Sequence, residues 1–184
     1  CLDHLAVTGT RFTSAYSACP ICIAARRTLM SGRTPVNHGV VFNYDTNLSA
    51  NQTVACASCH QQENGFSDSR VLSIGFDGGT TRRHSMGLTN AVWYDRGRFF
   101  WDERAGTLED QTTQPIQDHN EMGFSGSSGD GDINDLITKL SALGYYRNMF
   151  DFVFGSEEIT EAKMQLAMAQ FIRSIQSFDS KYDV

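Results

Sequence analysis

No run of apolar side chains in the 184 residues approaches the roughly 18 that a helical membrane span requires, so no membrane-spanning segment is expected. Basic residues are also scarce. Fifteen Lys and Arg face 21 Asp and Glu, a formal net charge of −6, which counts against nucleic acid as a partner because neutralising phosphates takes clustered cations. Five cysteines, at positions 1, 19, 22, 56 and 59, are an odd number, and a chain with 40% hydrophobic residues does not need a disulfide scaffold to hold a core. No internal repeat is visible, and the start shows neither an initiator Met nor a charged-then-apolar export segment, so the chain reads as a mature form or a piece of a longer one. The length suits one well-buried domain, or one domain with an appendage.

The charge is unevenly spread. Residues 1 to 42 hold Asp3 against Arg11, Arg26, Arg27 and Arg33, a net +3 that leaves −9 for the rest, and such a step marks a boundary. Upstream of it, "FTSAYSACPICIAARRTLMSGRTPVNHGV" resembles the formylglycine-dependent sulfatases around their nucleophile, with Cys22, Ala24 and Arg26 in the places of the oxidised Cys, the small residue and the Arg. Read without its flanks, Cys19-Pro-Ile-Cys22 is equally a redox pair or two small buried thiols. The aspartates with which a sulfatase binds its divalent cation are absent, so residues 1 to 42 are expected to be a nonfunctional fragment of an α/β sulfatase.

The strongest local signal is "CASCH", Cys56 to His60. Two thiols three positions apart can both add to haem vinyl groups while the adjacent imidazole ligates the iron from the proximal side. The alternative is half a zinc site, which needs about four ligands. Only Cys19 and Cys22 could supply the second pair. One covalent haem c, held by Cys56, Cys59 and His60, is the expectation, and thioether attachment implies an oxidising, exported compartment such as the periplasm.

Past this motif, "NLSANQTVACASCHQQENGFSDSR", "GRFFWDERAGTLEDQTTQPIQDHNEMGF" and "AMAQFIRSIQSFDSKYD" resemble, in order, the N-terminal domain of the bacterial di-haem cytochrome c peroxidases and their MauG-like relatives, from about Phe42 to Val184. Between the two resemblances, "VVFNYDT" suits either family. The peroxidase resemblance implies that Glu121 is the acid–base group, that Gln111 is its neighbouring neutral donor, and that Trp101 is an electron relay between two haems. Peroxide cleavage calls for such a base and donor. It also implies hydrogen peroxide as substrate and a small periplasmic electron donor such as a cytochrome or cupredoxin.

Two features depart from the family pattern. Where many members carry a His that caps this haem, the matching position is Phe76, which cannot ligate and implies an open site. His84, in "RRHSMGLTN", stands where relatives have an Asn that binds calcium, which makes calcium doubtful; His84 is read as structural, with distal or bridging ligation as the alternative. The second departure is that the family's second haem domain would begin near Val184, so half of the electron path is expected to be missing.

The fold expected is mainly α, a cytochrome c-like helical haem domain with long loops over residues 43–184, plus the short appendage. The spacing predicts helices over Thr160–Ser177, with Met164, Met168, Phe171, Ile172 and Ile175 on one face, over Ile133–Leu143, and over Thr107–Gln114. "GFSGSSGDGD" reads as a linker or loop. The function expected is peroxide reduction. The rival is a monohaem electron carrier without turnover, with Met86 or Met122 as sixth iron ligand.

Overall fold

Three of the helices start where a side chain closes their first turn. Thr107 accepts a hydrogen bond from the Asp110 amide at 3.0 Å and opens α3 (Leu108–Thr112). Asp132 accepts from the amides of Asn134 and Asp135, while Asp135 accepts in return from the Asp132 amide at 2.8 Å, and this reciprocal box opens α4 (Ile133–Ser141). Thr160 caps α6 (Glu161–Arg173) by accepting from Lys163 N. The computed structural model describes residues 40–177, which lie within one unit. Its first elements are α1 (Val40–Tyr44), a 3-10 turn at Thr46–Leu48, and the single turn α2 (Cys56–Cys59).

Helix α5 (Gly144–Phe154) was not anticipated from the sequence. It opens on Leu143 without a side-chain cap and on a glycine, so its local signals are poor. Its place is set by packing, because Tyr146 and Phe150 are fully sequestered in the core beside Phe42. Each such aromatic contributes on the order of 1.5–3 kcal/mol through burial, which outweighs the missing cap.

Helix α6 carries the predicted face: Met164, Met168, Phe171 and Ile172 are buried, as is Ile175 just past its end. It stops at Arg173 rather than Ser177 because the Ser174 N–H folds back onto the carbonyls of Gln170, Phe171 and Ile172. Met164 and Met168 join Leu48, Ile116, Leu136 and Leu140 in one hydrophobic cluster.

Two clasps dock α3 antiparallel on α6. At one end Arg173 donates twice to Glu109, at 2.5 and 2.9 Å. At the other, Glu161 accepts from Thr113 and Gln117, both at 2.8 Å. The helix that carries Gln111 is thereby fixed in azimuth as well as position.

Among the described residues no strand forms, only the isolated bridges Gln61–Ser67, Ile74–Thr80 and Phe99–Ala105. The architecture is mainly helical. Residues 60–107 run as long loops interrupted by 3-10 turns at Gln62–Asn64 and Ala91–Trp93. Asn90 pins this stretch to the end of α6: its N–H donates to Ile175 O, its Nδ2 to Ser177 O, and its Oδ1 accepts from Ser177 N. The Gly- and Ser-rich stretch is a stitched loop. Gly126 N donates to Gly131 O, and Asp130 gathers Ser125 Oγ and His119 Nδ1 on one carboxylate oxygen.

Candidate functional site

One turn of helix places Cys56, Cys59 and His60 together. Ser58 Oγ accepts from the Ala55 amide at 3.0 Å, and His60 N donates to Cys56 O at 2.9 Å, so the turn is closed at both ends. Both thiols are free and half-buried. Burial pushes Cys56 up to about 12, with the neighbouring Cys59 adding to it, and burial also raises Cys59.

His60 is held from behind. Its Nδ1 lies 3.0 Å from the carbonyl oxygen of Phe66 and 3.2 Å from Ser85 Oγ. A carbonyl only accepts, so Nδ1 carries the proton and Nε2 keeps its lone pair for a ligand. Burial lowers the imidazole's affinity for a second proton, against the pull of the Phe66 carbonyl. Phe66 adopts φ 60° directly after Gly65 at φ 66°. A left-handed phenylalanine is a strained conformation of order 1–3 kcal/mol, here retained where it aims a carbonyl at the imidazole. Ser85 also donates to Cys59 O at 2.9 Å, tying the loop to the same turn.

Cys56, Cys59 and His60 share a cavity wall with Gln111 and Glu121. A wider cavity of about 850 Å³ shares Cys59, His60, Gln111 and Glu121 with the first and is bordered by Trp101, His84 and four arginines, Arg82, Arg83, Arg98 and Arg104. That volume lies within the roughly 300–1,000 Å³ of small-molecule and cofactor sites.

The structure thus gathers the predicted residues 56, 59, 60, 111 and 121 around one space. Burial, then the negative charge of Asp118, pushes the Glu121 carboxyl up to about 7, against Arg104 and Arg82. Its backbone is fixed by Phe76, whose N–H donates to Glu121 O at 2.9 Å. Trp101 stands at the cavity rim, 59% exposed, with Nε1 donating to His84 O at 2.9 Å. Both ring nitrogens of His84 are occupied: Nδ1 faces the carbonyls of Arg70 and Val71 at 3.0 and 3.2 Å, and Nε2 faces Ser67 Oγ at 3.0 Å. Phe76 packs edge-on against His119 and over Gly123. Met122 belongs to the buried cluster, and Met86 lines the wider cavity. Cys22 and Arg26 lie outside the described residues.

Sequence reasoning passed over three residues that shape this site. Asn43 is 3% exposed, lines the cavity, and leaves Nδ2 without a partner; the available signal was one amide between aromatics in "VFNYD". Ser85 and the Phe66 carbonyl carry no local signature, because their role arises from tertiary contact.

The sequence profile of the family described as di-haem cytochrome c peroxidase matches residues 35–184. This chain belongs to that family. It is 30% identical over 145 residues to the methylamine utilization protein MauG of Methylophilus methylotrophus, covering 79% of this chain and 41% of that protein. Against the cytochrome c551 peroxidase of Nitrosomonas europaea the identity is 30%, covering 79% and 41%, and against the cytochrome c peroxidase of Escherichia coli strain K12 it is 32%, covering 79% and 29%. A solved MauG-like protein associated with microbial copper homeostasis superposes with a TM-score of 0.67 at 34% identity, covering 79% of this chain and 41% of that one. The chain therefore spans less than half the length of the relatives it matches.

The family implies haem, and the residues fit it. Cys59 and His60, whose Nδ1 is engaged by the Phe66 carbonyl, line both cavities, the wider of which is of cofactor size, while Cys56 and the unpartnered amide of Asn43 line the smaller one that shares them. Among the described residues no three His, Cys, Asp or Glu side chains converge as ligands of a small ion.

Proposed function

We propose that this chain is the peroxide-reducing haem domain of a di-haem peroxidase, an oxidoreductase that turns hydrogen peroxide into water with electrons from a small periplasmic donor such as a cytochrome or cupredoxin. The observation that carries the reading is Glu121: a carboxyl raised to about 7 on the same cavity wall as Cys56, Cys59 and His60. A base that titrates near neutrality can both take and return a proton.

Cys56 and Cys59 would hold haem c through thioethers and His60 Nε2 would ligate its iron, supplying the electrons that break the O–O bond. The rest of the chemistry belongs to the protein. Glu121 accepts the proton of the entering peroxide and delivers it to the departing oxygen, which leaves as water rather than as hydroxide. Gln111, fixed by the two clasps between α3 and α6, offers a neutral donor that orients peroxide without competing for the proton. Trp101 at the rim serves as the relay by which electrons enter. His84, with both nitrogens engaged, supports Trp101 through its carbonyl; neither iron nor calcium is assigned to it. The sequence before the family match at residue 35 is read as a nonfunctional sulfatase-like fragment, shorter than the expected 1–42 because α1 and Phe42 belong to the haem domain, and the periplasm as the location.

The test is the haem-loaded chain mixed with hydrogen peroxide in a stopped-flow spectrometer. The reading expects a high-spin ferric spectrum and a prompt spectral change that Glu121→Gln slows. A far-red methionine–iron band with no response to peroxide would instead establish an electron carrier ligated by Met86 or Met122.

A further inference from the structure

A run of aromatic side chains also reaches the cavity wall. Phe42 lines the cavity wall and packs at a tilt against the buried Tyr146, with ring centroids 5.7 Å apart. Tyr146 in turn lies 4.7 Å from Tyr145, which is 44% exposed. Cys56 packs against the same hydrophobic cluster that contains Phe42 and Tyr146. An unbroken contact path of aromatic rings thus leads from the cavity to solvent, through Phe42, Tyr146 and Tyr145.

The two phenols share one base. Asp45 Oδ2 accepts from Tyr145 OH at 2.7 Å and from Tyr146 OH at 2.8 Å, while Asn47 Nδ2 donates to Asp45 Oδ1 at 2.9 Å and to Tyr145 OH at 3.1 Å. Although burial acts to raise it, the hydroxyls of Tyr145 and Tyr146 and the donors of Asn47 hold the Asp45 carboxyl below its ordinary value, so it is ionised at neutral pH. Burial and Asp45 push both phenols upward, so both remain protonated. Two rings in contact, one at the surface and one in the core, on a single carboxylate oxygen are the arrangement of a proton-coupled relay.

We infer that Tyr145 is a surface oxidation site, joined to the cavity through Tyr146, at which small one-electron reductants such as phenols and hydroquinones are oxidised without entering the cavity. This rests on the peroxide-reducing reading, which supplies the oxidant. Peroxide takes up two electrons, from two reductant molecules that each release one proton to solvent, and two protons drawn from solvent, to give two waters. For each electron, Tyr146 is oxidised toward the cavity and its proton passes to Asp45. Tyr145 then reduces Tyr146; Asp45 returns the proton to Tyr146 and takes that of Tyr145. Because the carboxylate serves both phenols, the vacancy moves outward without stranding a charge in the core. The external reductant then gives an electron to Tyr145 and Asp45 gives back the proton.

The experiment uses the haem-loaded chain in two arms. In the first, hydrogen peroxide is added with a nitroso spin trap and adducts are mapped by peptide mass spectrometry. The expected adduct is on Tyr145. It falls to background in Tyr146→Phe, although Tyr145 stays exposed and the Soret response to peroxide is unchanged. An adduct on Tyr145 that survives Tyr146→Phe, or adducts confined to Trp93 and Trp101 while the Soret band responds, would overturn the relay. The second arm needs no peroxide: tris(bipyridine)ruthenium with persulfate oxidises Tyr145 by flash, and the vacancy is followed as loss of the reduced haem band. Tyr146→Phe should slow that loss, and Asp45→Asn should suppress phenoxyl formation and its solvent deuterium effect. Equal rates in wild type and both variants refute the relay. A silent Soret band in the first arm refutes only the peroxide-reducing reading.

Discussion

A Cβ on Gly75 would overlap the backbone carbonyl oxygen of Asn120, the residue before Glu121. The approach is so close because the next residue, Phe76, donates its N–H to Glu121 O, and Gly75 itself closes a turn onto Gly79 O. The loop from Ile74 to Thr80 is therefore a backbone template for the carboxylate. Because the opposing atom is main chain, it cannot swing aside. Gly75→Ala is expected to destabilise the chain by about 1–3 kcal/mol, as overpacking does, and to slow the peroxide response with it. Urea unfolding followed by circular dichroism gives the first quantity and stopped-flow absorbance the second.

Glu121 should leave two pH signatures. Its carboxyl is raised to about 7 from 4.5, chiefly by burial, so the folded chain binds this proton more tightly than the unfolded chain does. Stability then declines as pH climbs from the unfolded value toward 7. Glu121→Gln should remove that part of the decline. The catalytic signature runs the other way, because only the ionised carboxylate accepts a proton: the peroxide response should rise with a midpoint near 7, and Glu121→Gln should cost roughly 10²–10⁴-fold in rate and flatten the profile. A profile that keeps its midpoint in the variant would assign the titration to another group.

The sequence disclosed the parts of this site that depend on local spacing. Cys56, Cys59 and His60 lie on one turn and its C-cap, and Thr107, Asp132 and Thr160 close the first turns of their helices through caps that act within three residues. Helix α6 was legible because its buried face repeats with helical period; only its end was misplaced, by four residues, where Ser174 folds back. What was hidden depends on contacts between distant segments. The order of α5 comes from Tyr146 and Phe150 in the core, not from its uncapped start. The carbonyl of Phe66, the hydroxyl of Ser85 and the amide of Asn43 acquire their meaning only once the loops close on the CASCH turn. Backbone groups have no letter in a sequence, so a site oriented largely by carbonyls is under-read.

The Glu109–Arg173 clasp offers a test of how Gln111 is held. The guanidinium beside Glu109 keeps its carboxyl below the ordinary value despite burial, so the stabilisation is present above the unfolded pKa and is lost as pH falls through the depressed one. The Arg173 side chain is 36% exposed and that of Glu109 25%, and solvent screening limits the pair. A double-mutant cycle of Glu109→Gln and Arg173→Gln should give a coupling of about 1 kcal/mol at neutral pH, vanishing in acid. Coupling that persists below the Glu109 titration would show that shape, rather than charge, joins α3 to α6.

His119 fastens the loop at 125–131 to the segment that presents Glu121. Its Nδ1 lies 2.8 Å from Asp130 Oδ2, and the hydrogen bond to Asp130, then that carboxylate's charge, raises the imidazole above its ordinary value; Asp77 and Asp118 act in the same direction. A raised pKa means that the contribution is complete below the unfolded value and fades as pH rises through the folded one. The expected consequence is local, because Ser125 Oγ still holds Asp130 at 2.6 Å and the core does not depend on this pair. Amides of residues 125–131 should exchange with deuterium faster above the His119 titration, after correction for intrinsic base catalysis. His119→Gln should abolish that step while leaving amides of α6 protected. An unchanged step in the variant would mean that the loop is latched by the Ser125, Ser127 and Asp130 hydrogen bonds alone, with the histidine a bystander.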